Sequence, residues 1–343
     1  MGAGGSLAGR LGHWLRRNTK SGSRRNIQAH YDLGNELFAL MLDDSWAYSS
    51  AIFRSPEASL RAGSIEKFDR ACRKLNLRRG EHLLEIGTGW GGLAIHAARE
   101  YGCEVTTTTI SDEQYRLAKE RIEKACLSDR VQLIKQDYRD LRGTYDKLVS
   151  IEMIEAVGDQ FLGKYLETCS RLLKPEGTMV LQGILMNEQH HEAYVGSVDF
   201  IQKYVFPGGC LPSIRSIGNA IADRTDLRWV HFEDFAPHYA RTLRLWRENF
   251  ERERDSILKL GYDERFLRMW KYYLCYCEGA FEERYLGLGQ LQFDKPGCRR
   301  DPMLLSQWAS CAARGLAAYA EPRRETCVRT GTSGGDASKQ ESA

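Results

Sequence analysis

Leu83-Leu-Glu-Ile-Gly-Thr-Gly-Trp-Gly-Gly92 is an apolar run that passes directly into a cluster of glycines. Gly87, Gly89 and Gly91 allow the backbone to turn tightly there and to approach a ligand without Cβ clashes. Outward from this stretch the pattern alternates. Strands are predicted over 82–86, 104–110, 131–136, 147–151 and 178–185, and helices over 59–75, 92–101, 112–125 and 161–173. Strands separated by helices of ten or more residues specify an α/β fold, doubly wound about a mainly parallel sheet, with ligands at the carboxyl ends of the strands.

Upstream, 26–42 carries apolar residues at helical spacing, and Trp46–Phe53 reads as an extended or looped stretch. Beyond Met186 the chain turns aromatic and basic. A loop is predicted at Phe206–Pro212, a long amphipathic helix over 239–260 and another helix over 266–283. Three regions are expected: a basic, flexible arm over 1–25, a catalytic domain over 26–296 with substrate-side insertions at about 186–260, and an extension over 297–343, disordered from about 321.

With 343 residues, 42% hydrophobic and 28% charged, the chain has the composition of a soluble globular protein with a sizeable core. No apolar run approaches the ~20 residues that cross a bilayer. Met1–Arg25 lacks the apolar core of a secretory signal, so a cytoplasmic location is expected. A net charge of +3 excludes a strong argument for nucleic acid. Yet Arg10, Arg16, Arg17, Lys20, Arg24 and Arg25 crowd the start, either as a solvated terminus or as a contact for anionic lipid headgroups, worth ~1 kcal/mol per basic residue. The ten cysteines follow neither a disulfide framework nor zinc-ligand spacing, so reduced thiols and no metal are expected.

Two ligands compete for the glycine loop. A dinucleotide calls for G-x-G-x-x-G and an acid at the end of the next strand. This chain reads G-x-G-x-G, and its next strand ends Thr106-Thr-Thr-Thr-Ile-Ser111 with no acid at the tip. Glu85, just before the glycines, suits the ammonium group of S-adenosylmethionine better than a pyrophosphate, so the methyl donor is favoured. After the third strand, Asp137 offers an acceptor for an adenine amino group, or alternatively a turn cap, and Tyr138 a flat packing surface.

His30-Tyr-Asp-Leu33, Tyr48-Ser-Ser-Ala51, Leu84-Glu-Ile-Gly-Thr-Gly-Trp-Gly91, Ser150-Ile-Glu-Met-Ile-Glu-Ala-Val-Gly158, Phe206-Pro-Gly-Gly209 and Pro237-His-Tyr-Ala-Arg-Thr-Leu243 occur in order. In this the chain resembles the cyclopropane-fatty-acid synthases and mycolic acid methyltransferases, from about Asn26 to Phe293. The resemblance implies a class I methyltransferase fold that transfers methyl to a cis double bond of an unsaturated phospholipid acyl chain. By motif position it implies cofactor contacts from Tyr48, Ser49, the loop Leu83, Leu84, Glu85, Ile86, Gly87, Thr88, Gly89, Trp90 and Gly91, then Thr109, Ile110, Ser111, Gln114 and Tyr138. The expected partner is a membrane surface bearing such chains, approached peripherally, and the expected assembly is a homodimer.

The family's base is a bound bicarbonate. Carried over one residue at a time, its ligands fall on the Ser50 backbone, Glu155, Gln182, the Ile184 backbone and Tyr239. Ser50 and Gln182 replace a cysteine and a histidine, and Gln182 cannot share a proton as an imidazole does. The base site is therefore altered, which bears on ring closure more than on methyl transfer, and Glu152 is a nearby competitor for the role of Glu155. Tyr48, Phe200 and Tyr204 offer aromatic faces for a carbocation. Cys277 matches a cysteine of the synthases once suspected as a nucleophile and is read as a structural thiol, because direct transfer needs no covalent intermediate. The runner-up function is a small-molecule N-methyltransferase of the same fold, since an amine nucleophile needs no bicarbonate.

Overall fold

A computed structural model describes residues 18–19, 22–23 and 34–301. Most of the basic arm, with all six of its basic residues, the first half of the helix expected over 26–42 and nearly all of the 297–343 extension lie outside the described residues. The chain divides into two units, Met1–Arg300 and Asp301–Ala343, and the first carries the sheet and the cavity.

The elements run α1 (Asn35–Met41), α2 (Leu60–Lys74), β1 (His82–Ile86), α3 (Gly92–His96), β2 (Glu104–Thr109), α4 (Asp112–Lys124), β3 (Val131–Lys135), β4 (Tyr145–Ile151), α5 (Leu162–Leu172), β5 (Leu173–Met186), α6 (Glu188–Val195), α7 (Phe200–Tyr204), α8 (Ile214–Arg224), β6 (Arg228–Asp234), α9 (Ala236–Arg252), α10 (Arg254–Lys259), α11 (Glu264–Glu282) and β7 (Leu286–Asp294). Side chains fix the helix starts. Ser59, Ser111, Ser213 and Asp263 each accept a backbone N–H in the first turn of α2, α4, α8 and α11.

The strands form one seven-stranded sheet in the order β3-β2-β1-β4-β5-β7-β6. β1 to β5 are parallel, and β7 runs antiparallel between β5 and β6. Alternation along each strand loads both faces. Leu83, Val105, Val149 and Val180 pack with α2 and α3, whereas Leu84, Ile86, Leu148 and Leu181 pack with α5 and α8. A third apolar cluster joins α1, α9, α10 and α11 beyond the sheet, around Trp246 and Trp270. The order of strands reverses between β1 and β4, the place where such sheets open a crevice for ligands.

Four expectations change. β6 and β7 were not anticipated: the polar residues Gln290 and Gln292, both fully buried, disguise β7 as an exposed stretch. The helix expected over 239–260 begins at Ala236 and breaks at Glu253, because a continuous apolar periodicity conceals a kink that no glycine or proline marks. Residues 92–101 form a single helical path, but the second half, Ala97–Tyr101, widens to π-type turns. β5 begins at Leu173, with Lys174–Gly177 bulging out before the regular ladder resumes at Thr178. No helix among the described residues is long and apolar enough to cross a membrane.

Candidate active site

The glycine loop departs from β1 with Gly87, Gly89 and Gly91 all at positive φ, a conformation that disfavours any side chain. A Cβ on Gly89 would meet nothing within 4 Å, so the backbone there faces open space. That space is a cavity of about 1340 Å³, larger than the ~300–1,000 Å³ that one drug-sized ligand occupies. There is room for two reactants.

One end of the cavity lies over the carboxyl ends of β1 to β3. Tyr48, Ser49, Glu85, Ile86, Gly87, Thr88, Gly89 and Trp90 line it, with Thr109, Ile110, Gln114, Asp137 and Tyr138. Leu83 and Leu84 instead fill the core on opposite faces of β1, and Gly91 and Ser111 open and cap helices behind the wall. Glu85 is buried, and its Oε2 accepts from the Thr107 hydroxyl at 2.6 Å. Burial pushes its carboxyl up to about 8, so a cation arriving beside it would draw it back toward the ionised form. Asp137 caps a short turn and is gripped by the guanidinium of Arg139, with Nε and Nη2 each at 2.7 Å. Its carboxylate is thus already occupied on both oxygens. Glycine loop, open space and a buried carboxylate together fit the nucleoside and amino acid ends of S-adenosylmethionine.

The other end holds a polar knot in an apolar wall. Glu152 follows β4 with φ +49, a left-handed conformation that a glutamate adopts at a cost of ~1–2 kcal/mol. Its carboxylate collects three donors: the Ser50 backbone N–H at 2.9 Å and Gln182 Nε2 at 2.8 Å on Oε1, and the Tyr239 hydroxyl at 2.6 Å on Oε2. Glu155 Oε1 accepts the Ile184 backbone N–H at 2.6 Å, and its Oε2 has no hydrogen-bond partner among the described residues. The five residues implied for bicarbonate are therefore brought together, but three of them converge on a carboxylate that the chain itself supplies. Ser50 and Gln182 stand behind the cavity wall, while Glu152, Glu155, Ile184 and Tyr239 face it.

Because the surface that both glutamates keep is cavity wall and not bulk water, burial raises both carboxyls. Lys67 and the three donors oppose that rise at Glu152. Glu155 has the Glu152 charge against it as well and reaches about 8. Of the two, Glu152 is the one that its neighbours hold toward the anion and Glu155 the one held toward the neutral acid.

Lys67 was not anticipated. It is fully buried on α2, donates to the Ser49 hydroxyl at 2.5 Å, and is pushed down to about 8 by burial. Its only mark in the sequence is its place on the inner face of an amphipathic helix, where a cation needs a partner.

Rings surround the knot. The Tyr48 and Tyr273 hydroxyls are 2.9 Å apart, and the Tyr239 and Phe281 centroids 4.6 Å. Phe200 and Tyr204, expected as cation-facing rings, are displaced outward. α7 turns Gln202 inward, where it donates to the Gly209 carbonyl at 3.0 Å, and leaves Phe200 against Tyr272 and Tyr276. Cys277 lines the cavity, and burial raises its thiol far above the usual range, which leaves it a poor nucleophile.

The family model described as mycolic acid cyclopropane synthetase matches residues 18–291. The chain belongs to that family. It is an S-adenosylmethionine-dependent methyltransferase. The tuberculostearic acid methyltransferase UfaA1 of Mycobacterium tuberculosis is 42% identical to it over 303 residues, 83% of this chain and 71% of that protein. Cyclopropane-fatty-acyl-phospholipid synthase of Escherichia coli is 39% identical over 267 residues, 78% of this methyltransferase and 66% of that protein. Among solved structures, mycolic acid cyclopropane synthase CmaA1 complexed with SAH and CTAB superposes with a TM-score of 0.74 at 27% identity, covering 79% of this chain and 98% of that one.

Proposed function

We propose that the protein methylates the cis double bond of unsaturated phospholipid acyl chains, and that the Glu152 carboxylate is the base that completes the reaction. The carrying observation is the convergence of Ser50 N–H, Gln182 and Tyr239 on Glu152 at the wall of an apolar cavity. When bound, S-adenosylmethionine supplies an electrophilic methyl group.

An isolated alkene is a weak nucleophile, so the cavity must hold it in line with that methyl and exclude water. As the alkene takes the methyl at one carbon, its other carbon becomes a cation, faced by the rings of Tyr48, Tyr239 and Phe281. Glu152 then takes one proton from the new methyl. If the freed electron pair closes onto the cationic carbon, a cyclopropane forms. If a hydride shifts first from the methylated carbon to its neighbour, the same proton loss leaves a methylene branch on the chain, the precursor of a methyl branch. Either way the chain gains one CH₂ and Glu152 gains the proton. The first outcome is the one named in the cyclopropane-fatty-acyl-phospholipid synthase of Escherichia coli.

The cavity rim supports entry from a bilayer surface. Tyr276 and Tyr285 line it and remain 40% and 45% exposed, beside the exposed rings of Tyr204 and Tyr272. The N-methyltransferase reading is not favoured, since the resemblance to coclaurine N-methyltransferase, at 22% identity, carries the fold alone.

Mass spectrometry of mono-unsaturated phospholipid vesicles incubated with the protein and the methyl donor tests the proposal. A one-CH₂ gain is expected, with hydrogenation separating ring from methylene, and Glu152→Gln should lower the rate by about 100-fold or more. Unmodified lipid, or wild-type turnover by Glu152→Gln, would overturn it.

A further inference from the structure

We propose that Lys74 and Gln290 are positioning residues for the reaction, acting through Gln182 on the Glu152 carboxylate by a buried hydrogen-bond chain that runs in one direction only. This rests on the reading of Glu152 as the base. Lys74, the last residue of α2, is fully buried. Its Nζ lies 2.8 Å from Glu233 Oε2 on β6 and donates to Gln290 Oε1 at 2.8 Å. Gln290 Nε2 donates to Gln182 Oε1 at 3.0 Å, and Gln182 Nε2 donates to Glu152 Oε1 at 2.8 Å. Gln182 and Gln290 are direct cross-strand partners on β5 and β7, and neither is exposed.

The ends force the direction. An ammonium only donates and an ionised carboxylate only accepts, so each amide must turn its oxygen toward Lys74 and its NH₂ toward Glu152. Flipping either amide would set two donors or two acceptors face to face in a buried site. The chain therefore holds Gln182 in the one orientation that serves the base, and the cation polarises every link, which strengthens the last N–H as a donor. A carboxamide is neither acid nor base near neutral pH, so the chain positions the carboxylate and does not conduct its proton.

Other charges face both ends. Around Glu152 stand Lys67 from α2, Glu155 from the same turn, Tyr239 from α9 and Tyr273 from α11. Around Lys74 stand Glu233 and His231 from β6 and Arg70 and Arg73 from its own helix. Removing the chain leaves these in place, so its effect is separable from theirs.

The test is kcat against pH for the full chain, with saturating S-adenosylmethionine and mono-unsaturated phospholipid vesicles. Gln290→Leu breaks the chain while keeping the Lys74–Glu233 pair, and Lys74→Met removes the cation. Each should lower kcat about tenfold, the loss expected for one hydrogen bond to a charged group. Each should also shift the acid limb upward by on the order of one pH unit, because the anion is less well held. KM for S-adenosylmethionine should be unchanged, and Lys74→Arg should recover most of the rate. An acid limb unmoved in both variants, whether kcat falls or not, would overturn the chain if Glu152→Gln is inactive in the same assay. Wild-type rates from Glu152→Gln would instead remove the base assignment, and the chain with it.

Discussion

Glu152 and Glu155 lie one turn apart after β4, yet their partners bias them in opposite directions, Glu152 toward the anion and Glu155 toward the neutral acid. Glu152 accepts three hydrogen bonds, and Glu155 accepts one while bearing the repulsion of its neighbour. The native Glu155 carboxyl titrates at about 8 against an ordinary 4.5, so the folded protein keeps a proton that the unfolded chain releases between those values. A raised carboxyl contributes stability that is complete below the unfolded value and is lost as pH rises through the folded one. Glu85, also pushed up to about 8, has the same sign. Burial lowers His82, His231 and His238 below their ordinary 6.5 and so works against this trend in the acid range. The thermal midpoint of the cofactor-free protein should therefore fall as pH rises from about 6.5 to about 8. Glu155→Gln, whose amide mimics the neutral acid, should flatten part of that slope. A slope identical to wild type in thermal melts would show that Glu155 is ionised throughout. The sequence alone carried Glu155 as the carboxylate of the site, with Glu152 as its rival; which of the two is charged depends on donors brought from Ser50, Gln182 and Tyr239, far apart in the chain.

At the scale of elements, the site depends on α3 pressing against the loop that carries Tyr48, Ser49 and Ser50. Gly92 opens α3, and a Cβ there would lie 2.6 Å from the Ser45 carbonyl oxygen and 3.1 Å from the Phe68 ring. Gly92→Ala should cost ~1–3 kcal/mol through overpacking and weaken binding of S-adenosylhomocysteine, read by denaturation and calorimetry. Gly218→Ala in α8, where a Cβ meets nothing within 4 Å, should leave both unchanged or raise stability slightly. Equal behaviour of the two variants would contradict this packing account. The parallel half of the sheet was legible because its strands are short apolar runs between amphipathic helices. β7 was not, since Leu286-Gly-Leu-Gly-Gln-Leu-Gln-Phe-Asp294 places glutamines where an apolar face belongs. Lys74 and Gln182 satisfy Gln290 there, and Gln292 donates to the Lys74 carbonyl while its Oε1 has no hydrogen-bond partner among the described residues; period-two alternation was the available signal.

Taken as a whole molecule, the fold splits the cavity between two sources. The carboxyl ends of β1 to β3 supply the glycine loop and Glu85, and the helical cover of α9 and α11 supplies rings and an apolar wall. The seam runs after β4, where Glu152 holds a left-handed backbone that glycine would adopt without strain. If Glu152 is the base, as proposed, the chain itself supplies the anion at this seam and no external one is needed. The most direct measurement is turnover of mono-unsaturated phospholipid vesicles in buffer stripped of carbon dioxide, with and without added bicarbonate, for the wild type and Glu152→Gly. The wild type should turn over at the same rate in both buffers, and Glu152→Gly should be inactive until bicarbonate is restored to the vacated donors. A wild-type rate that collapses without bicarbonate and returns with it would contradict the assignment of Glu152 as the base.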